Sequence, residues 1–311
     1  MTSSAVCYRV IHETRYRYEY PVSVSRQQLH LTPRECPWQS LIAHEIAIDP
    51  EPTLCHTSLD HLGNPIRQFA IEAPHGSLRV CAESTIEVRL RLSLFPLSAD
   101  GSPSWESVRD ALAFGAKPVL LEANNYLFES PYVRVKREFA AYARPCFAPG
   151  RPLLEAVEAL MKRIYTEFKF DPAATKVSTP VLKVLENKRG VCQDFAHLML
   201  SCLRSLGLAA RYVSGYLLTQ PPPGQPRLIG ADASHAWISV YCPGADSGSW
   251  VDFDPTNNLI PDTQHITLAW GRDFGDVSPL RGVILGGDAH EPMVAVTVMP
   301  IDEFPQENKC L

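Results

Sequence analysis

The chain has 311 residues, 45% of them hydrophobic and 20% charged, with a formal net charge of −5. This is an ordinary globular composition, long enough for one large or two modest cores. No stretch concentrates Lys and Arg with interleaved aromatics, so nucleic-acid binding gets no support, and no run of about 18 apolar residues occurs, so no membrane span is expected.

The first residues, Met1 to Cys7, show no charged segment followed by an apolar one, so no secretory signal is expected. Residues 1–95 read as β. Alternating runs recur at Tyr16-Arg17-Tyr18-Glu19-Tyr20, Leu41 to Ile48, and Ser84 to Leu90, separated by turn signals such as Asp49-Pro50 and Gly63-Asn64-Pro65. The pattern predicts an antiparallel sandwich-like domain. Pro96 to Ser104 marks a plausible boundary. From about 105 the pattern is helical. Pro152 suits a first helical turn, with Leu153, Leu154, Val157, Leu160, Met161 and Ile164 at helical spacing after it. Thr179-Pro180 reads as N-cap and N1 of a short helix to Leu185.

A third helix is predicted from Cys192 to a C-cap at Gly207. Phe195, Ala196, Met199, Leu200, Leu203 and Leu206 give it a wide apolar surface. Asp194, His197, Ser201, Arg204 and Ser205 form a narrower polar stripe, so the helix should be largely buried. Strand runs follow at Arg211 to Leu218, Ser234 to Tyr241, Trp250 to Asp254 and Val294 to Met299, with a loop at Pro221-Pro222-Pro223-Gly224. The organisation expected is 1–100 β domain, 101–150 helical connector, 151–265 catalytic core and 266–311 tail with a terminal strand.

Nine cysteines at wide spacing, with no C-x-x-C, argue for reduced thiols and a cytoplasmic protein rather than a disulfide framework or a zinc ribbon. Eight are adequately explained as small buried apolar residues. Cys192 stands apart. In the first turn of a helix its sulfur faces unpaired backbone N–H groups and the positive end of the helix dipole, which favour the thiolate and can hold an oxyanion. Gly190 just before it would let a substrate backbone approach. The bland alternative is a buried structural cysteine.

The hairpin supplies partners. His235, Trp237, Ser239 and Tyr241 share one face of their strand; Trp250, Asp252 and Asp254 share one face of theirs. Matching the apolar faces leaves registers that set either His235 or Trp237 opposite Asp254. Both place His235 and Asp254 on one face within cross-strand or diagonal reach. That suits a base and the acid that orients it. The alternative is an exposed hairpin with solvated charges.

These residues resemble a known family. Arg189-Gly190-Val191-Cys192-Gln193-Asp194-Phe195-Ala196 resembles the nucleophile block of bacterial transglutaminase-like proteins, Ser234-His235-Ala236-Trp237 their histidine block, and Trp250 to Thr256 their third block, ending in Asp-Pro-Thr. Leu206 to Tyr216 resembles the segment between nucleophile and base. Residues 5–90 resemble the β domain that precedes the core in one bacterial subgroup, and Gly271 to Leu280 that subgroup's tail. The resemblance implies an α+β fold: a papain-like transglutaminase core behind an antiparallel β-sandwich. It also implies a thiol protease, amidase or acyltransferase in which Cys192 is nucleophile, His235 base and acid, and Asp254 orienter. Asp252 is the fallback orienter; Gln193 and Asn187 are weak second oxyanion donors. Val191 stands where animal transglutaminases have Gln, and their calcium-binding additions are missing.

The expected partner is a peptide or protein amide, with no cofactor and no metal. A catalytically idle scaffold is the alternative. Six of the ten His lie in the first 75 residues, but their spacing, including Cys55-His56 and Asp60-His61, matches no standard zinc pattern. His197, five residues beyond Cys192, turns away from it on the helix and reads as structural. Hydrolysis and transamidation share every step up to the acyl-enzyme, so substrate and oligomeric state are not legible.

Overall fold

A computed structural model describes residues 5–91, 101–114, 118–219, 234–243, 248–288 and 291–303. The predicted boundary at Pro96 to Ser104 and the loop at Pro221 to Gly224 fall wholly or largely outside the described residues. Five strands come first: β1 (Val6–Leu29), β2 (Gln39–Asp49), β3 (Leu54–Leu59), β4 (Pro65–Ile71) and β5 (His75–Val88). Helices α1 (Trp105–Phe114), α2 (Pro118–Asn124), α3 (Arg137–Ala143) and α4 (Leu153–Glu167) follow. Short β6 (Lys169–Phe170) and β7 (Arg189–Gly190) flank α5 (Val181–Asn187), and α6 spans Cys192–Ser205. Then come β8 (Ala210–Leu217), β9 (Ser234–Pro243), β10 (Gly248–Phe253), β11 (His265–Gly271), α7 (Phe274–Val277), β12 (Leu280–Gly286) and β13 (Met293–Pro300).

The N-terminal domain is one antiparallel sheet organised on β1. The first half of β1 pairs with β5 and its second half with β4, in the order β2-β5-β1-β4-β3. Breakers sit where the long strands change partner: Pro21 within β1, Pro50 between β2 and β3, and Pro74 between β4 and β5. The free side of β1 is covered by the end of the chain. β12 and β13 run along it consecutively, with Gln27 opposite Gly282 and Val10 opposite Val298. The terminal strand expected in the tail thus belongs to the first sheet. No local pattern announces a pairing across nearly the whole sequence.

The second sheet, β10-β9-β8-β11, is antiparallel, and α6 packs on β8 and β9. Every α6 residue from Asp194 to Arg204 is buried. Its polar stripe is an internal socket rather than a wet face. Ser201 Oγ and Ser205 Oγ accept the Arg134 and Lys136 N–H groups, and Arg204 donates to the carbonyls of Ala210, Phe128 and Arg272. The bonds from Arg204 to the Ala210 carbonyl satisfy buried groups that would otherwise cost about 1–3 kcal/mol each. The helix stops before Gly207, whose φ of +79° closes the last turn.

Both helices predicted to open on a proline begin one residue later than expected. Pro152 and Pro180 are extended N-caps with ψ near 136° and 135°, so α4 begins at Leu153 and α5 at Val181. Ser102 Oγ, from another segment, accepts the Leu154 N–H, while Thr179 Oγ1 is occupied by Lys176 N–H instead of capping α5.

The N-terminal domain seals the face of the second sheet away from α6. Tyr216, Leu218, Ile266 and Leu268 join Leu29, Ile71 and Val80 in one core. Gln39 exchanges two hydrogen bonds with the Thr267 backbone, and Asn64 two with Trp270. Gly215 is required at this face: a Cβ there would lie 2.1 Å from Ile266 O and 2.4 Å from the Trp237 ring. Among the described residues, Cys7, Cys36, Cys55, Cys146, Cys192, Cys202 and Cys242 are free thiols. Cys81 is disulfide-bonded, which departs from the fully reduced set expected. No helix among the described residues is long and apolar enough to cross a membrane.

Candidate active site

Cys192 opens α6, with extended Val191 as N-cap. The Asp194 carboxylate, at the third helical position, accepts the Val191 N–H at 2.8 Å and the Thr175 hydroxyl at 2.6 Å. This is the carboxylate half of a capping box, and it fixes the helix tip that carries the sulfur. It also explains Gly190: a Cβ there would stand 2.6 Å from Asp194 Oδ2. The missing side chain makes room for the cap.

β9 and β10 pair with Trp250 opposite Tyr241 and Asp252 opposite Ser239. Extended by two residues, that register sets Asp254 opposite Trp237 and diagonal to His235, one of the two arrangements the apolar faces allowed. His235 Nε2 lies 2.7 Å from Asp254 Oδ2, and Cys192 stands close enough to the imidazole to act on its charge. With Nε2 taken by the acid, Nδ1 is the nitrogen left for sulfur. The three residues singled out in the sequence therefore meet. The hairpin is not the solvated one of the alternative reading, since Trp237 and Asp254 are both fully buried.

Asp252, the fallback, faces elsewhere: its Oδ2 accepts Trp237 Nε1–H at 2.9 Å and pairs with Arg91. Arg91 also donates to the His265 carbonyl, so the N-terminal domain braces the back of the site. Asn187 is exposed at the end of α5, and Gln193 is half-buried beside Cys192. His197 is buried and accepts the Phe274 N–H while stacking on Tyr132. Among the N-terminal histidines, His12 bonds Tyr216 of the second sheet, His44 bonds Thr32 and Ser84, and His75 bonds the Ala73 carbonyl.

Sequence reasoning missed Asn257 and His265. Asp254 Oδ1 accepts the N–H groups of Thr256 and Asn257, and Oδ2 accepts Asn257 Nδ2–H at 2.7 Å. The Asp-Pro-Thr-Asn run could have signalled the first, because Asp side chains commonly bond the backbone two residues on. His265 Nε2, 3.2 Å from Asp254 Oδ2, had no local signal. His235, Asp254 and His265 hold three potential metal-ligand atoms within 4.8 Å of one another. Those atoms already satisfy one another as an acid between two imidazoles.

Burial pushes the Asp254 carboxyl up, but hydrogen bonds from His235 and His265 outweigh it and hold the group well below the usual carboxylate range. Burial likewise disfavours charge on His235, yet Asp254 and Cys192 raise it to about 10. The ring rests as imidazolium at neutral pH, the partner a thiolate needs. The signs give a stability profile. A raised His235 contributes fully below its ordinary value of 6.5 and loses that contribution as pH climbs toward about 10. A depressed Asp254 contributes above its ordinary 3.8 and loses it on acidification. Denaturant unfolding of wild type and His235→Gln should therefore differ most between those two ordinary values and converge near pH 10. A pH-independent difference would refute the assignment.

Residues 8–87 match the bacterial transglutaminase-like N-terminal region, and residues 140–255 match the transglutaminase-like superfamily. An uncharacterized protein of Mycobacterium tuberculosis is 40% identical over 297 residues, covering 95% of this chain and 93% of that one. A protein-glutamine gamma-glutamyltransferase of Pseudomonas aeruginosa is 26% identical over 113 residues, covering 34% of this chain and 16% of its own length. The crystal structure of a cysteine-protease candidate from Cytophaga hutchinsonii superposes with a TM-score of 0.74 at 18% identity, covering 96% of this chain and 92% of that one. That likeness shows the shared fold.

Proposed function

The chain belongs to the transglutaminase-like superfamily, and from that premise we propose that it transfers acyl groups from a peptide or protein amide through a thioester on Cys192. The observation that carries the reading is the His235 ring, held at 2.7 Å by a fully buried carboxylate while its other edge meets a thiol at a helix tip. The Cys192 thiolate attacks the amide carbonyl, and first-turn N–H groups of α6 face the developing oxyanion. His235, already protonated, gives its proton to the leaving amine. It then takes a proton from the incoming water or amine, whose attack on the thioester returns the thiolate. Asp254 keeps the imidazole oriented and stabilises its charge throughout.

Water as acceptor makes the reaction a hydrolysis; an amine makes it a transamidation. Intact-mass analysis against a peptide panel, with and without added amine, should show an acyl adduct on Cys192 and then release either acid or new amide. An active preparation whose adduct sits on any other residue would refute the proposal. A protein inert to the panel and to iodoacetamide would favour an idle scaffold.

A further inference from the structure

We propose that His265 is a positioning residue of this reaction: a neutral imidazole that donates Nε2–H to Asp254 and locks the carboxylate beneath His235. The inference rests on the thiol-enzyme reading above. His265 opens β11, at the opposite edge of the sheet from β10, and its backbone is pinned on both sides. Its N–H donates to the Asp262 carbonyl at 3.0 Å, and its own carbonyl accepts from Arg91 at 3.0 Å. The ring is 1% exposed and stands edge-on to Trp237, with centroids 5.2 Å apart.

The tautomer follows from the surroundings. An ionised carboxylate only accepts, so the His265 nitrogen facing Asp254 carries the hydrogen. Burial disfavours the imidazolium, which leaves Nδ1 as a bare lone pair. Nδ1 is indeed a buried atom with no hydrogen-bond partner. An apolar residue of similar shape would avoid that orphaned acceptor, so the ring's use lies in its Nε2–H. Asp254 Oδ2 then lies between two imidazoles whose centroids are 6.0 Å apart, while Thr256 and Asn257 hold Oδ1. With His265 in place, the carboxylate plane has one orientation, the one that receives His235.

The charged and titratable groups facing this pair are Asp254, His235 and Cys192 from the core and Arg91 from the N-terminal domain, the last neutralised by Asp252. Iodoacetamide alkylation of Cys192, followed against pH, reports the thiolate–imidazolium pair without requiring a substrate. His265→Phe keeps ring volume and burial but removes the donor. Its alkylation at neutral pH should be roughly tenfold slower than that of wild type. His265→Gln, which can present an amide N–H to the same oxygen, should stay near wild type. A purely packing role predicts the reverse, with Phe tolerated at least as well as Gln. Coincident Phe and wild-type profiles would overturn the proposal. If the Phe variant fails to fold, His265→Leu takes its place under the same criterion. A wild-type thiol that alkylates no faster at neutral pH than a free cysteine would overturn the thiol-enzyme reading itself.

Discussion

Alanine at Cys192 leaves a folded protein that forms no acyl-enzyme and turns over no amide. Loss of the nucleophile in a triad enzyme costs on the order of 10⁶ in kcat, because the whole covalent route disappears rather than one contribution to it. The fold has little to lose. Cys192 is only half-buried, at the edge of the helical core, and alanine is the best helix former for the position. The cap that fixes the helix tip runs through Asp194 and Val191 and does not involve the sulfur. The unfolding midpoint should therefore shift little, by an amount typical of a lightly packed site at about 1 kcal/mol or less. Turnover and calorimetry on one preparation separate the two effects. An alanine variant that retained wild-type turnover would refute Cys192 as nucleophile.

The parts of this site that a reader of the sequence could see are those fixed by local periodicity. Helical spacing from Phe195 to Leu206 puts Cys192 at a helix start. The two-residue alternation on either side of the hairpin forces His235 and Asp254 onto one face, because a one-residue slip would push Asp252 or Asp254 among Val and Ile. What stayed hidden comes from segments distant in sequence. Trp237, Ser239 and Asp252 alternate with buried residues as solvent-facing side chains do, yet they are buried because the N-terminal domain, through Gln39, Asn64 and Arg91, covers that face. His265 lies 11 residues beyond Asp254 and reaches it only because β11 pairs with β8. The pairing of β12 and β13 with β1 is of the same kind. Gly190 carries a second reason that the sequence did not show: the Asp194 carboxylate occupies the space a side chain would take.

Asparagine at Asp254 should reduce turnover by about 10⁴ and destabilise the protein as well, the first figure being that of the analogous change in a serine-protease triad. The argument is one of donors and acceptors. Oδ1 accepts two backbone N–H groups, and Oδ2 accepts from Asn257, His235 and His265. A carboxamide has one oxygen and one NH₂ group. With its oxygen toward His235, the NH₂ meets the Thr256 and Asn257 N–H groups head-on. Turned the other way, it meets the two imidazoles. Either orientation leaves buried donors unpaired, a loss of about 1–3 kcal/mol for each group. The negative charge goes too, so burial acts on His235 with only Cys192 to oppose it. The ring then deprotonates at a lower pH, the thiolate loses its counter-ion, and alkylation of Cys192 at neutral pH slows. The acid-side loss of stability traced to Asp254 should vanish, because asparagine does not titrate. Asp252→Asn is the control. It leaves the buried Arg91 guanidinium without its counter-charge, so it should destabilise while keeping the alkylation rate at neutral pH. If instead Asp252→Asn slowed alkylation and Asp254→Asn preserved it, the orienting acid would be the one braced by Arg91, and the route from the N-terminal domain to the imidazole would be direct.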